Sequence, residues 1–266
     1  MEPVQIRASS LASLLDCPAR WLAIHRDGKR VPTSQKAVLG RAVHAGTAHF
    51  DAERLAGNVP SVAAATDCAV EAFENPGEDV AAEEDDGKTE QAKGIAASLT
   101  ERYCNLYAPK VEYAAVEIGV DALHLTDLAV VLSGTTDRVR RTEDGIGVTD
   151  IKTGKTAVDA RGAVSTKGHA VQLGVYTLLA EAAMNARMTL DAQIVGLQTN
   201  ITPDKQRIAS AEVPGVRDVL IGDADQPGVL SVAARLAHGE LTFGNPRSMM
   251  CSATYCPIYN SCFFRR

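Results

Sequence analysis

The sequence predicts an α/β fold, a mixed central sheet flanked by helices, and three observations predict it. Apolar residues recur at helical spacing through both ends of the chain. Between about residue 111 and residue 151 the pattern shifts to short, β-branched apolar runs separated by glycine. A strong amphipathic stretch at 169–187 is then followed by one more apolar run at 192–199.

The elements follow in order. Residues 8–26 carry Leu11, Leu14, Leu15, Trp21 and Leu22 at helical spacing, with Ser9 or Ser10 placed to cap the start. Pro18 breaks the pattern just after Cys17, so two short helices or a kink are expected there. A helix over 36–56 carries Gly40, Arg41, His44 and His49. Residues 74–92 are acidic and poor in apolar side chains, the mark of a solvated loop or an exposed helix start. Helical spacing returns over 92–107. Val111–Val120 alternates and includes Glu117, and Leu128–Thr135 is apolar and β-branched. Arg138–Arg141, Gly145 and Gly147 mark a turn before a strand at Gly147–Ile151. Residues 226–239 read as a helix, and the tail beyond Phe243 reads as irregular around its cysteines. The expected organisation is one domain over 1–266: N-terminal helices at 1–60, a core near 110–200 and a cysteine-rich tail at 240–266.

Composition excludes some classes of function. No apolar run approaches the roughly 18–20 residues of a membrane span, and the N-terminus lacks a charged-then-apolar signal layout. The expected location is cytoplasmic, or the host cytoplasm for a viral protein. Six cysteines in a reducing compartment argue for metal ligation or core packing over disulfides. The net charge of −6 argues against coating nucleic acid by bulk charge, but not against a local basic groove beside an acidic pocket.

The chemistry lies in Asp137, Asp150, Ile151 and Lys152. A carboxylate, a gap of about a dozen residues and then acid-x-Lys suit a hairpin that holds a divalent cation over a phosphate. Hydrolysis of a phosphodiester requires a deprotonated water and neutralisation of charge gathering on the phosphoryl group. A carboxylate-bound Mg²⁺ or Mn²⁺ does both. Asp150 and Lys152 leave a strand on the same face, so the ammonium sits beside the cation. Taken singly, Asp-x-Lys can be a surface pair, His44 a plain helix histidine, and Gln172 with Tyr176 one polar stripe.

Taken in order, the residues resemble the PD-(D/E)xK nuclease superfamily and its RecB-like branch. Gly134-Thr-Thr-Asp137-Arg138 matches the Gly-x-x-Asp-Arg motif, and Asp150-Ile-Lys152-Thr-Gly154 the Asp-x-Lys-Thr-Gly motif. Gln172-Leu-Gly-Val-Tyr176 matches the following Gln-x-x-x-Tyr helix. Gly40-Arg-Ala-Val-His44 matches an upstream Gly-x-x-x-His helix. The resemblance covers roughly residues 40–180 and implies a restriction-endonuclease-like core. It implies metal ligation by His44, Asp137, Asp150 and the Ile151 carbonyl. It further implies a catalytic group of Asp137, Asp150, Lys152, Gln172 and Tyr176, with Arg41, Arg138 and Lys155 meeting DNA phosphates. Glu117 reads equally as a ligand or as a strand-surface glutamate. The sequence departs from the family in the long acidic stretch between His44 and Asp137.

The second feature is the cysteine set. Cys251, Cys256 and Cys262 close the chain, and Cys17 stands more than two hundred residues earlier. A zinc knuckle closes over a shorter stretch, whereas four thiolates gathered from both ends suit a four-iron–four-sulfur cluster. Ser10-Leu-Ala-Ser-Leu14-Leu-Asp-Cys17-Pro18 and the terminal cysteines resemble AddB-type and CRISPR-associated RecB-like exonucleases, in which one upstream and three terminal cysteines hold such a cluster. Zinc is the competing occupant. Cys68 and Cys104 read as core cysteines.

These resemblances imply a Mg²⁺- or Mn²⁺-dependent deoxyribonuclease, exonucleolytic on single strands or ends, serving recombination, repair, phage replication or CRISPR adaptation beside a helicase, recombinase or integrase partner. The rival from another class is a non-catalytic DNA-end-binding or assembly subunit with the same fold.

Overall fold

The structure, a computed structural model, describes residues 2–81, 86–223 and 225–265. Its elements run β1 (Val4–Arg7), α1 (Ala8–Asp16), α2 (Pro18–His25), α3 (Gln35–Leu55), α4 (Val62–Glu74) and α5 (Asp86–Arg102). They continue as β2 (Glu112–Leu125), β3 (Val130–Thr142), β4 (Gly145–Gly154), α6 (Ala170–Met184), β5 (Ala192–Gln198), β6 (Ile208–Val213), α7 (Val216–Ile221) and α8 (Val229–Ala237). The helices from both halves of the chain flank one mixed sheet, as the apolar patterning predicts.

β3 organises the sheet. Along one edge it pairs antiparallel with β2 from Val130 to Arg141. Its other edge is shared: parallel β1 takes Val130–Ser133, and antiparallel β4 takes Arg138–Thr142. β1 and β4 therefore lie end to end against β3, and Gly134–Asp137 spans the seam between them. β5 joins β4 in parallel after the α6 crossover, and β6 closes the sheet antiparallel to β5.

One face of the sheet packs Leu11, Leu14 and Trp21 with Leu173, Leu179, Leu220 and Leu236, from α1, α2, α6, α7 and α8. The other packs Val38, Val43, Phe50, Ala65 and Leu99, from α3, α4 and α5, against Ile151, Val195 and Leu197. β4 and β5 are thus covered on both sides, which accounts for their near-continuous apolar runs.

Several expectations need correction. The turn expected at Arg138–Arg141 is strand, and the chain reverses at Glu143 and Asp144. Gly145 is required at that corner: its φ is +138°, and a Cβ there would lie 1.8 Å from Thr189 Oγ1. Pro18 does split the first helix, with Cys17 at the join. The residue before α1, however, is Arg7, and Ser10 Oγ donates to Arg7 O instead of capping. The acidic stretch enters α5 at Asp86, while residues 82–85 lie outside the described part. Strands β1 and β6 and helices α4 and α7 were not expected. The strands are short and take their character from remote partners, which periodicity does not reveal.

The chain ends meet. Ala19 N donates to Phe243 O, Asn245 Nδ2 and Ser248 Oγ donate to Asp16, and Arg20 Nε donates to Tyr255 O. Among the described residues, no helix is long and apolar enough to cross a membrane.

Candidate active site

The site is built at the seam in the sheet. Asp137 ends the stretch of β3 that has no partner on the β1–β4 edge, where β4 splays away. Its Oδ2 accepts the Ile151 N–H at 2.7 Å, replacing the ladder bond that the splay costs. The same Oδ2 stands 3.4 Å from His44 Nδ1 on α3. Asp150 is 2 % exposed, and Lys152 Nζ lies 2.7 Å from Asp150 Oδ2. This approach is an ion contact outside hydrogen-bond geometry, so Oδ2 has no hydrogen-bond donor. Lys152 Nζ donates to Gln172 Oε1 at 3.0 Å, and Gln172 Nε2 donates to Tyr176 Oη at 3.0 Å. Gln172 and Tyr176, four residues apart on α6, thus become a strut that aims the ammonium at the carboxylates.

The glycine that opens the β3 motif has a packing reason. A Cβ on Gly134 would lie 3.1 Å from Ala8 Cβ and 3.4 Å from Tyr176 Cε1. A side chain there would crowd Ala8, Leu179 and Tyr176, which would have to give by a few tenths of an ångström.

Electrostatics sharpen the picture. Burial together with the Asp137 charge pushes the Asp150 carboxyl up to about 6, against the pull of Lys152. Burial also works against ionised Asp137, but His44, the Ile151 N–H and Arg138 outweigh it and hold that carboxyl below its usual range. For His44, burial disfavours the imidazolium, and the Asp137 and Asp150 charges reverse the balance and raise it.

Two carboxylates and an imidazole around an orphaned carboxylate oxygen are donors suited to a hard divalent cation. Such an ion would relieve the crowding of two buried negative groups. In their present positions, no three His, Cys, Asp or Glu side chains among the described residues are grouped tightly enough to hold a metal ion.

One expected DNA contact is corrected. Arg138 is completely buried and its guanidinium is filled. Nε donates to Asp51 Oδ2 at 2.8 Å, and Nη1 donates to the Asp137 carbonyl at 2.7 Å and to Glu117 Oε1 at 3.1 Å. Nη2 donates to Thr47 Oγ1 at 3.3 Å. A phosphate cannot reach it. Arg41 is exposed and paired with Glu78, and Lys155 is exposed just beyond β4. Glu117 is held by Arg138 instead of standing free, and its own φ is +50°. Burial and the Asp137 charge raise its carboxyl above the usual range.

The sequence reading overlooked Asp51, Thr47 and Tyr103. Tyr103 Oη donates to Asp51 Oδ2 at 2.7 Å, completing the buried bracket behind Asp137. His44, Thr47 and Asp51 are spaced by three and seven residues, which puts them on one face of α3. That spacing was the available signal. His169, just before α6, also went unremarked; burial and the nearby Lys152 charge lower its pKa.

Where the chain ends meet, Cys17, Cys251, Cys256 and Cys262 line a single cavity of about 20 Å³, roughly the room of one water molecule, with no three of them grouped tightly enough to hold a metal ion as they stand. Asn245 N–H points at Cys17 Sγ from 3.4 Å. Burial raises the Cys256 thiol, as do the neighbouring Cys17 and Cys262. Cys104 is buried in the helical core and Cys68 is partly buried on α4, both away from the cavity.

Comparison with known proteins places these elements in one family. No curated protein matches the chain. A family model does, over residues 5–263, a span that takes in both chain ends as well as the β3–β4 hairpin and α6. The chain belongs to the PD-(D/E)XK nuclease superfamily.

Proposed function

We propose that this protein is a divalent-metal-dependent deoxyribonuclease of the RecB-like branch, acting as an exonuclease on single strands or DNA ends. One observation carries the reading: His44, Asp137, Asp150 and Lys152, from α3, β3 and β4, converge at the sheet seam, with Gln172 and Tyr176 steadying the lysine.

His44, Asp137, Asp150 and the Ile151 carbonyl would hold Mg²⁺ or Mn²⁺. When bound, that ion acidifies a water and neutralises phosphoryl charge. The protein's own groups do the rest. Asp137 and Asp150 supply the negative charge that concentrates a cation in the pocket. Lys152 presents a positive charge to the non-bridging oxygens as the bond to phosphorus breaks. Gln172 fixes the direction of its ammonium, and Lys155 and Arg41 lie outside as phosphate contacts. Glu117 acts through Arg138 to hold the Asp137 segment.

The terminal cysteines form a second, structural centre, with Cys17, Cys251, Cys256 and Cys262 around a four-iron–four-sulfur cluster. Their shared cavity and the bonds between the chain ends support this. A single zinc ion, which also takes four thiolates, is the second reading. A helicase, recombinase or integrase would supply the DNA end.

The test is incubation of the full chain with end-labelled single- and double-stranded DNA and Mn²⁺. Stepwise shortening from an end is expected. Binding without cleavage, at any metal tried, would establish the non-catalytic end-binding subunit instead.

A further inference from the structure

The connection from β4 to α6 is an ordered hairpin at the rim of the candidate active site. β4 leads into it from Lys152, and α6, tied to Lys152 through Gln172, leads out of it. Val158 pairs antiparallel with Val164, Ser165 N donates to Ala157 O at 3.0 Å, and Asp159 N donates to Ala163 O at 2.9 Å. Asp159 Oδ1 closes the tip by accepting the N–H groups of Arg161 and Ala163. Ala157 and Val158 are buried against β5, where a Cβ on Gly196 would lie 2.7 Å from Ala157 O and 2.8 Å from Val158 Cγ2. The hairpin is therefore seated on the sheet, with its neck at the site.

Its charge is unbalanced. Asp159 is the one acid between Lys155 and His169, and Arg161 Nε pairs with it at 3.5 Å. That leaves Lys155 and Lys167, both exposed and neither in an ion pair or side-chain hydrogen bond among the described residues. Each lies two residues outside the Ala157–Ser165 bond, one on either arm, within about 7 Å of chain from it. Flexible four-carbon stems let the two ammoniums converge on one anion. His169 stands two residues beyond Lys167 and one turn before Gln172, on the same face of α6. Its ring is partly buried and has no hydrogen-bond partner among the described residues. Burial and the Lys152 charge lower its pKa, so the ring is neutral and offers one N–H. Two uncompensated lysines at one neck, in a chain of net charge −6, mark a place kept for an anion.

We propose that Lys155, Lys167 and His169 form a subsite for the terminal phosphate of a DNA strand, beside the place where Lys152 meets the phosphodiester to be cut. This rests on the nuclease reading and adds to it the chemistry of the strand end that is recognised. Two ammoniums match a dianion. A phosphate monoester carries nearly two negative charges near pH 7, whereas an internal phosphodiester carries one. Charge-assisted hydrogen bonds to the monoester favour a strand that ends at the hairpin over one that runs past it.

The experiment is fluorescence anisotropy with the full chain, no added divalent metal and three internally labelled oligonucleotides of one sequence, ending in a 5′-phosphate, a 3′-phosphate or hydroxyls alone. One phosphate-ended strand should bind about ten-fold tighter than the hydroxyl-ended strand, and which one it is identifies the end that is held. Lys167→Gln and Lys155→Gln should each cut that ratio to about two-fold, while Lys167→Arg keeps it. His169→Ala should narrow the ratio and His169→Asn, which retains an N–H, should restore it. Both lysines are exposed, so their variants should melt as the wild type does. Equal affinity of the wild type for all three strands overturns the subsite without recourse to any variant. So does a Lys155→Gln/Lys167→Gln variant that keeps the ratio, or that weakens all three strands alike, the mark of unspecific attraction. Mn²⁺-dependent cleavage by the wild type is scored separately. Cleavage without a preference for a phosphate end sinks the subsite alone, and a lysine-dependent preference without cleavage sinks the nuclease reading alone.

Discussion

Arg138 Nε meets Asp51 Oδ2 at 2.8 Å with both side chains wholly out of solvent, and this pair ties α3 to the strand that carries Asp137. The same guanidinium holds the Asp137 carbonyl and Glu117. Position 138 therefore controls the placement of the Asp137 carboxylate next to it from inside the core.

The bracket should be costly to break from one side. Asp51→Ala leaves a buried guanidinium without its main partner, a loss of about 3–5 kcal/mol. Calorimetry should show a clearly lower Tm, and Mn²⁺ affinity should fall because α3 and β3 are no longer held together. Arg138→Met combined with Asp51→Leu should recover much of the stability but not the affinity. Equal Tm for Asp51→Ala and wild type would refute the bracket.

Asp137→Ala, Asp150→Ala and Lys152→Ala should each abolish cleavage, by removing part of one assembly. Asp150→Asn makes a sharper case. It removes one of two crowded buried carboxylates, so the metal-free protein should melt higher, by about 1–2 kcal/mol of stability, while activity vanishes. Activity surviving in any two of the variants would contradict the assignment.

Gln172 touches Lys152, not the carboxylates. Gln172→Ala should lower kcat by about 10–100-fold and leave KM nearly unchanged, since a supporting partner is lost while the ligands stay. Steady-state kinetics separate this from a binding role, which would raise KM instead. His44→Ala should weaken Mn²⁺ binding, and unchanged affinity on titration would return His44 to the helix surface.

Prepared without oxygen, the protein should be brown, with about four iron and four acid-labile sulfide per chain. Changing Cys17, Cys251, Cys256 or Cys262 to Ser should each bleach it and lower Tm, because the centre joins ends far apart in sequence. Cys68→Ser should keep the colour. A colourless protein with one zinc would replace the cluster but keep the staple, and a metal-free protein with unchanged Tm in all four variants would remove both.

The candidate site residues were legible in the sequence because they sit at spacings that strands and helices fix locally. Asp150 and Lys152 share a face by the two-residue strand repeat. Gln172 and Tyr176 are neighbours by the helical turn, and Pro18 stops α1 wherever the rest of the chain goes. The alternation of apolar runs likewise marked β2, β3, β5 and α6, and so the α/β class. The tertiary structure alone decided what depends on partners distant in the chain. An arginine beside an aspartate looks the same in sequence whether it faces DNA or the core. Arg138 turns inward because Asp51, 87 residues earlier, offers its charge a buried partner. β1 exists because β3 leaves one edge open, and the seam between β1 and β4 forms because two short strands share that edge. Local periodicity fixes which residues are neighbours on one element. Which elements meet is set by burial and charge pairing across the whole chain, and that information is spread over positions no short window contains.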